Sequence, residues 1–460
     1  MGKQNLKKHY NSLIVGGGIV GAGLFRDLAL HGISTLLIDQ GDFAAQTSSA
    51  SSKMLHGGVR YLENLDFHLV YEALHEKNLW LKLTPHLCYE EPFHMPIYQE
   101  SKYPLWTYAL GLSLYDFLSL YKNSPHKIYG REKVLSEIPG LKSEGLSGAG
   151  VYYDAIVDDT KMALECIYDG LLEESAEART YTKLTNFKKV GELYYCELTD
   201  QLTREVFQVT TDHLVFCTGP FTDILMKEIG FNWKSVLAPS KGAHLWLKED
   251  ALKVSHPILL QTKDDRVVFV IPRNKAILVG TTENKPDMNF FDIKASKDDI
   301  LYLLKVLKNF FPETNITEDQ ILSSYAGVRP LVKENAEQSL AKVSREHKVF
   351  TPKKNLHLIL GGKYTTFRVM VQGVAERIVT DSRSSYNISK TLAPLRQRSV
   401  IPSFGDKKIT MEKVKLIMEA EQVRTIEDLM NRRLAIPNAN HWRESDTSYD
   451  QFLALVQKLF

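Results

Sequence analysis

Three glycines, Gly16, Gly18 and Gly21, stand on a GxGxxG spacing directly after the apolar run Leu13-Ile14-Val15. The pattern suits one kind of chemistry. Its first glycine permits a tight turn, its second lets a pyrophosphate approach bare backbone, and its third lets a helix pack close against a strand. The segment from Ile19 to His31 is patterned as a helix, and its first N–H groups lack intrahelical partners, so they face any anion held at that end. A second apolar strand, Ser34 to Ile38, ends at Asp39, 18 residues beyond Gly21. An acid there accepts the 2′- and 3′-hydroxyls of an adenosine ribose, so the expected ligand is a dinucleotide without a 2′-phosphate.

The stretch after Asp42 is small and rich in hydroxyls: Thr47, Ser48, Ser49, Ser51 and Ser52, then Lys53, then Gly57-Gly58. Such a stretch lets backbone lie against a flat ring, and its hydroxyls can bond ribityl and phosphate oxygens, which favours a flavin over a nicotinamide. Cations occur at unusual places. Arg60 and Lys363 each follow a double glycine, and Arg329 sits in the otherwise apolar Gly-Val-Arg-Pro-Leu. Most of the 57 lysines and arginines must be solvated surface, but a charge in an apolar run is costly unless it meets a partner.

The elements that would position these residues follow from periodicity. Leu65 to Leu83 reads as an amphipathic helix stopped by Thr84-Pro85, and residues 88 to 150 alternate short apolar runs with proline and glycine. Within that region Tyr103 to Tyr121 is long enough to span a bilayer, but Trp106, Ala109, Leu110, Ser113, Leu114, Phe117, Leu118 and Tyr121 recur at helical spacing. This describes a helix that is buried or lies at an interface. A helix is expected from about Thr160 to Ala176, a β-meander over 181 to 210, and a buried strand, Leu214 to Cys217, ending at Gly219. Residues 234 to 335 are rich in strands, with one helix at Lys297 to Phe311. Leu356 to Leu360 is a strand feeding Gly361-Gly362 and a helix from Tyr364 to Thr380, whose N-terminus suits the N1/O2 edge of a reduced flavin. Helices return at 411–421 and 425–434.

A chain of 460 residues can form two or three domains. Its net charge of +2 argues against a nucleic-acid binder. Cys88, Cys166, Cys196 and Cys217 are scattered, which indicates neither a metal site nor a disulfide framework and fits a reducing compartment. The charged N-terminus runs straight into the glycine turn and does not read as a signal peptide.

The run Thr47-Ser48-Ser49-Ala50-Ser51-Ser52-Lys53-Met54-Leu55-His56-Gly57-Gly58-Val59-Arg60-Tyr61-Leu62-Glu63 resembles the flavin loop of the FAD-dependent glycerol-3-phosphate dehydrogenases, within the amino-acid-oxidase-like flavoproteins. Further similar motifs follow in order: Tyr115-Asp116-Phe117-Leu118, Val157-Asp158-Asp159, Cys217 to Pro220, Lys241-Gly242-Ala243-His244, Gly327 to Leu331, Gly361 to Arg368, Arg424 to Leu429 and Arg432-Arg433. The resemblance implies an α/β fold with a Rossmann-like FAD-binding domain (1–88, 151–233, 336–382), an interleaved α+β substrate cap (89–150, 234–335) and a C-terminal helical domain (383–460). It implies oxidation of sn-glycerol 3-phosphate to dihydroxyacetone phosphate, with hydride passing from C2 to flavin N5.

The same resemblance assigns roles. Arg60, Tyr61, Arg329, Arg345 and Lys363 would bind substrate, since arginine forks match phosphate oxygens in pairs. His244 is the natural proton acceptor, and Arg329 could instead stabilise an alkoxide by charge. FAD would lie against Gly16, Gly18, Gly21, Asp39, Thr47, Ser48, Ser49, Ser52, Lys53, Gly57, Gly58, Gly219, Gly362, Lys363, Thr365 and Thr366. His56 reads as a packing residue, with covalent attachment of the flavin left open. The implied acceptor is a quinone, reached from the cytoplasmic face of the inner membrane by a peripherally attached protein; a homodimer is left open. Two other readings stand beside this one: an oxidase that reduces oxygen to peroxide, and a non-catalytic flavin-binding protein. The part after Phe404 looks short beside the family's C-terminal domain.

Overall fold

The computed structural model describes residues 6–286, 290–333, 346–404, 409–435 and 449–460. Two compact units share the chain. Met1–Ser49, Asp159–Ser240 and Arg329–Phe460 form the first, and Ala50–Asp158 and Lys241–Val328 the second. The chain begins in the first unit with β1 (His9–Val15), α1 (Ile19–Leu30) and β2 (Thr35–Ile38). It continues in the second with β3 (Met54–Leu55), α2 (Phe67–Leu83), β4 (Cys88–Tyr98), α3 (Leu105–Leu118), β5 (Lys127–Gly130), α4 (Arg131–Glu137) and β6 (Leu146–Val157). It returns to the first for α5 (Asp159–Gly170), β7 (Ala176–Arg179), β8 (Thr182–Val190), β9 (Leu193–Asp200), β10 (Val206–Phe216) and α6 (Thr222–Glu228). The second unit then takes β11 (Ser240–Lys248), β12 (Ile258–Gln261), β13 (Val267–Arg273), β14 (Ala276–Gly280), α7 (Lys297–Phe310) and β15 (Ile321–Arg329). The first closes the chain with β16 (His347–Lys353), β17 (Leu356–Gly361), α8 (Phe367–Asp381), α9 (Met411–Ala420) and α10 (Tyr449–Gln457).

In the first unit the sheet runs β16-β17-β10-β1-β2-β7. The pairs β17/β10, β10/β1, β1/β2 and β2/β7 are parallel. From β1 the chain moves to β2 on one side, and β10 later arrives on the other. The C-terminal end of β1 is therefore a switch point, where open α/β sheets bind ligands. Parallel strands buried on both faces read as continuous apolar runs, and Leu13, Leu36, Leu214 and Leu358 are all fully buried.

Two departures from the sequence reading concern this unit. The helix expected to Ala176 ends at Gly170, and Ala176–Arg179 is instead the edge strand β7. Its sequence, Ala-Glu-Ala-Arg, has no apolar alternation because its pairing comes from backbone beside β2. The tail also packs on this unit. Arg26 of α1 donates from Nη2 to the Ala393 carbonyl at 2.8 Å, Lys161 of α5 donates to the Ile401 carbonyl at 2.6 Å, and Arg396 meets Asp169 of α5 at 2.7 Å. Charged side chains inside buried helices need partners, and residues 391–401 supply them. Further on, Ile401, Val414, Ile417, Leu429, Met430, Phe452 and Val456 form a small core of their own.

In the second unit a mixed sheet runs β15-β11-β14-β13-β12-β4-β6-β3, with β5 also on β6. One β4 edge pairs with β6 along its whole length despite Pro92 and Pro96. The amide of His94 points the other way, to the Pro257 carbonyl at 2.8 Å. Even-numbered nitrogens of β4 thus face the β12 side, where pairing is a single bridge, and the missing proline donors cost the β6 ladder nothing. α7 covers one face through Leu303, Val306 and Leu307, packed with Leu245, Val270, Ile277 and Val279. Its start is fixed by a capping box between Ser296 and Asp299.

The helix α3 turns its expected face outward. Trp106, Leu110, Phe117 and Tyr121 are 65, 62, 56 and 71% exposed, while Tyr108, Leu112 and Tyr115 are buried. α3 is apolar on more than one side, so periodicity could not choose the face. No helix among the described residues is long and apolar enough to cross a membrane.

The units change over at Ser49/Ala50 and Asp158/Asp159, where the sequence segments were cut at 88/89 and 150/151. Strand pairing explains the position: Met54 and Leu55 pair with Ile156 and Ala155, which places residues 54–55 and the end of β6 in the second sheet.

Candidate active site

The first unit holds a nucleotide cradle at the C-terminal end of β1. Gly16 adopts φ +107°, a region that L side chains rarely enter, and its N–H bonds the Ile38 carbonyl at 2.8 Å. A Cβ on Gly21 would lie 1.9 Å from the Gly16 carbonyl oxygen, so only glycine lets α1 approach β1 this closely. Gly18 caps α1, and the Ile19 N–H that follows donates to Ser48 Oγ at 2.9 Å. Ser48 is nearly buried, and its hydroxyl accepts at the helix start, where it can also donate to an anion. Thr47 and Ser49 share its short turn, where the Ser49 hydroxyl donates to the Gln46 carbonyl at 3.1 Å.

Asp39 ends β2 beside this turn. Its Oδ2 accepts the Gly17 N–H at 2.7 Å and its Oδ1 the Gly41 N–H at 2.9 Å. Some exposure remains, yet lost hydration pushes the carboxyl up to about 6 against the pull of those amides. Each oxygen can still accept a hydroxyl donor, which is the chemistry a ribose offers.

The neighbouring parallel strands end on the same edge. After β10, Gly219 (φ +51°) opens the turn into α6, and its carbonyl accepts the Thr222 hydroxyl at 2.9 Å. After β17 come Gly361 and Gly362 at φ +74° and +79°, then Lys363, Thr365 and Thr366, all three buried. A Cβ on Gly362 would lie 2.5 Å from the Met370 sulfur of α8. Arg329 is half-buried at the end of β15, its Nη1 3.5 Å from Ser240 Oγ. Glycine cradle, helix start, acidic ribose acceptor and buried hydroxyl turn together fit an adenine dinucleotide carrying a flavin.

The second unit gathers a different set. Nε2 of His244, buried on β11, is 2.9 Å from Ser52 Oγ. The imidazole stacks on Tyr325 at 4.9 Å between centroids, and the Tyr325 hydroxyl donates to the Ser51 carbonyl at 2.8 Å. Lys53 Nζ lies 5.3 Å from the Tyr325 ring centroid. Opposite His244, Gly280 leaves space for the ring, since a Cβ there would be 2.1 Å from imidazole Cδ2. Loop 51–53 and strands β11, β14 and β15 thus hold the histidine from several sides.

In the same unit the Gly57 N–H donates to Asp154 Oδ1 at 3.2 Å, an oxygen that also accepts the Tyr115 hydroxyl at 2.8 Å. Gly58, at φ +81°, turns the chain into residues 59–64, where the Tyr61 N–H bonds the Gly58 carbonyl at 2.9 Å. Arg60 is exposed, and its Nη2 donates to the Asp265 carbonyl at 2.8 Å.

Ser52, Lys53 and His244 are therefore brought together, whereas Arg60 is held by the 262–266 turn. Arg345 lies outside the described residues. Tyr325, Gly280 and Asp154 were missed from sequence. Tyr325 carried one usable signal: in a strand it shares a side with Gly327 and Arg329, two and four residues on.

Comparison with known proteins agrees with this assembly. Residues 12–367 match the family described as FAD dependent oxidoreductase (DAO). An α-glycerophosphate oxidase of Streptococcus pneumoniae is 31% identical, over 84% of this chain and 73% of its own. An aerobic glycerol-3-phosphate dehydrogenase of Staphylococcus aureus is 30% identical, over 88% and 73%. Among solved structures, the glycerol-3-phosphate dehydrogenase of Bacillus halodurans complexed with FAD superposes with a TM-score of 0.67 at 25% identity, over 84% of this chain and 67% of that one. The chain belongs to the FAD-dependent oxidoreductases, in the branch of the aerobic glycerol-3-phosphate dehydrogenases and α-glycerophosphate oxidases, and its cofactor is FAD.

Proposed function

We propose that the protein oxidises sn-glycerol 3-phosphate to dihydroxyacetone phosphate and passes the electrons to a quinone. The substrate assignment rests on one observation: relatives 31 and 30% identical over 84 and 88% of the chain are both named for this phosphoester. Bound FAD supplies the two-electron, hydride-accepting centre.

The chain's residues are assigned as follows. Arg329 and Lys363 contact the phosphate of the dianion, with Arg60, Tyr61 and Arg345 as further contacts. His244 removes the C2 hydroxyl proton. Ser52 Oγ stands 2.9 Å from its Nε2, so Ser52 can give its proton to the ring while taking the substrate's. Loss of C2–H as hydride and O–H as a proton accounts for both hydrogens removed. Gly16, Gly18, Gly21, Asp39, Ser48, Gly219, Gly362, Thr365 and Thr366 hold the dinucleotide, with Thr47, Ser49, Ser52, Lys53, Gly57 and Gly58 as flavin-loop contacts.

The exposed face of α3, with Trp106, Leu110 and Phe117, and Tyr121 in the turn after it, supports the quinone reading, because aromatic and aliphatic side chains at a water boundary suit a bilayer interface. On this reading the protein lies peripherally on the cytoplasmic side of the inner membrane. Oxygen is the second reading, favoured by the oxidase name of the streptococcal relative.

Anaerobic mixing with glycerol 3-phosphate tests the first step: bleaching of the flavin band near about 450 nm identifies the donor. Oxygen and a water-soluble quinone analogue, added separately, identify the acceptor by which one restores the band faster. No bleaching by the phosphoester refutes the substrate, and faster return with oxygen refutes the quinone.

A further inference from the structure

The loop after β2 carries two acids three residues apart, and the tail of the chain holds one of them. Asp42 is almost fully buried, and Arg432 Nε and Arg433 Nη1 both donate to its Oδ2. Arg433 Nη2 donates to Oδ1 at 2.9 Å and to the Glu421 carbonyl at 2.8 Å. Arg432 reaches on to Asp428 at 2.7 Å. Consecutive side chains diverge by about 100° on an α-helix, which would send these arginines apart. Here Asp428–Arg433 is wound wider, with the Leu434 N–H bonded to the Leu429 carbonyl five residues back at 2.9 Å, and both guanidiniums meet one carboxylate.

The other acid is Asp39, the ribose acceptor. Its backbone and that of Gly41 are bound by the next turn of the same unit, through Thr182 N–H to the Asp39 carbonyl at 2.6 Å and Tyr181 N–H to the Gly41 carbonyl at 2.8 Å. The Tyr181 hydroxyl in turn donates to Asp428 at 2.6 Å. The tail, the Tyr181 turn and the ribose loop therefore form one hydrogen-bonded assembly.

We propose that Arg432 and Arg433 are positioning residues for the cofactor: by neutralising Asp42 they keep the neighbouring Asp39 a competent acceptor of ribose hydroxyls, so the C-terminal segment sets how tightly the protein holds FAD. The electrostatics run the same way. Behind lost hydration and the Gly41 and Gly17 amides, Asp42 pushes the Asp39 carboxyl up and Arg432 pulls it down. The other charged or titratable groups around the pair are Tyr168 on α5, Arg179 at the end of β7, Tyr181, and Glu421, Arg424 and Asp428 from the tail; Arg424 is itself paired with Asp200 of β9 at 2.8 Å.

The test follows FAD affinity of the intact protein against pH, read by the fluorescence of released flavin. In the parent, affinity falls as pH drops through about 6, by up to about tenfold per unit, as Asp39 takes up its proton. Arg432→Met moves the onset upward by about one pH unit, so that FAD binds about twofold more weakly at pH 7, about tenfold more weakly near pH 5, and normally in alkali. Arg432→Lys restores most of the parent profile. Asp42→Asn moves the onset down. The proposal fails if Arg432→Met weakens FAD equally at every pH or leaves the profile unchanged, or if Asp42→Asn leaves the onset in place. Should Arg432→Met not fold, Asp42→Asn decides alone, because the amide oxygen of the substituted side chain still accepts from Arg433.

Discussion

Gly280→Ala acts first on His244, the side chain that a Cβ at this position would meet. The new methyl would stand 2.1 Å from His244 Cδ2, 2.7 Å from Cγ and 2.9 Å from Nε2. The ring cannot retreat towards Tyr325, which stacks on it at 4.9 Å between centroids with 14° between the planes. It must swing about χ1 and leave Ser52. Losing that bond costs about 0.5–1.5 kcal/mol, and an off-rotamer side chain about as much again. Stability should therefore fall by about 1–3 kcal/mol, which this fold can survive. Turnover should fall much further, by about 10²–10⁴-fold, since a displaced imidazole no longer accepts the substrate proton. The ring that the substitution displaces bonds Ser52, a flavin-loop contact, so flavin content is measured beside turnover. The assay is kcat with glycerol 3-phosphate, normalised to bound flavin, beside thermal unfolding. Full flavin, a small loss of Tm and near-parent kcat would refute the proton-acceptor role of His244.

His244→Gln keeps a polar group near Ser52 and should flatten the acidic limb of the pH–rate profile while flavin stays bound; an unchanged limb takes the base role away. Arg329→Ala loses one or two charge-assisted bonds of about 1.5–3 kcal/mol each, so kcat/KM should drop by about tenfold to several hundredfold at full FAD content, checked by steady-state kinetics. Asp299 is held well below the usual carboxylate range, at about 2, by Lys241 at 2.8 Å and the Ser296 and Thr282 bonds, against the opposing effect of burial. A depressed carboxyl adds stability above its unfolded value and loses it as pH falls from about 4 through about 2, so Asp299→Asn should cost about 2 kcal/mol at pH 7 and nothing in strong acid, read by urea unfolding at both pH values.

The first unit was largely legible because its requirements are local to the residue. A glycine spacing, an apolar run of strand length and an acid at its end each state a backbone need, and β1, α1, β2, β10, β17 and α8 lie where those needs put them. What was lost there was β7, since a four-residue edge strand made of Ala-Glu-Ala-Arg is held by backbone bonds to β2 and carries no pattern. α3, expected as a helix that is buried or lies at an interface, left its inward face open for the opposite reason. With apolar residues on nearly every side, the helix offers two faces, and the choice between Trp106-Leu110-Phe117 and Tyr108-Leu112-Tyr115 is made by what packs against it.

The candidate site divides along the same line. Gly21 and Gly362 were legible because the clash a Cβ would create is with a neighbour in the same contiguous motif, and Gly16 because its φ of +107° is a local backbone need, although a Cβ there would also meet Cys217 after β10. Gly280 was not, although its Cβ clash is as severe, because the ring it accommodates comes from β11 and only the β11–β14 register sets Gly280 opposite His244. Tyr325 and Asp154 belong to that second class, as does the hold of Arg432 and Arg433 on Asp42, 390 residues distant along the chain. Each answers a need created by tertiary pairing: a buried imidazole needs a surface to stack on, a buried amide an acceptor, a buried acid a cation. Sequence exposes the group that has the need when the motif is contiguous, but the group that meets it becomes visible only when register is known. This is why the glycine cradle could be read residue by residue, and why the second unit yielded its histidine without the glycine that makes room for it.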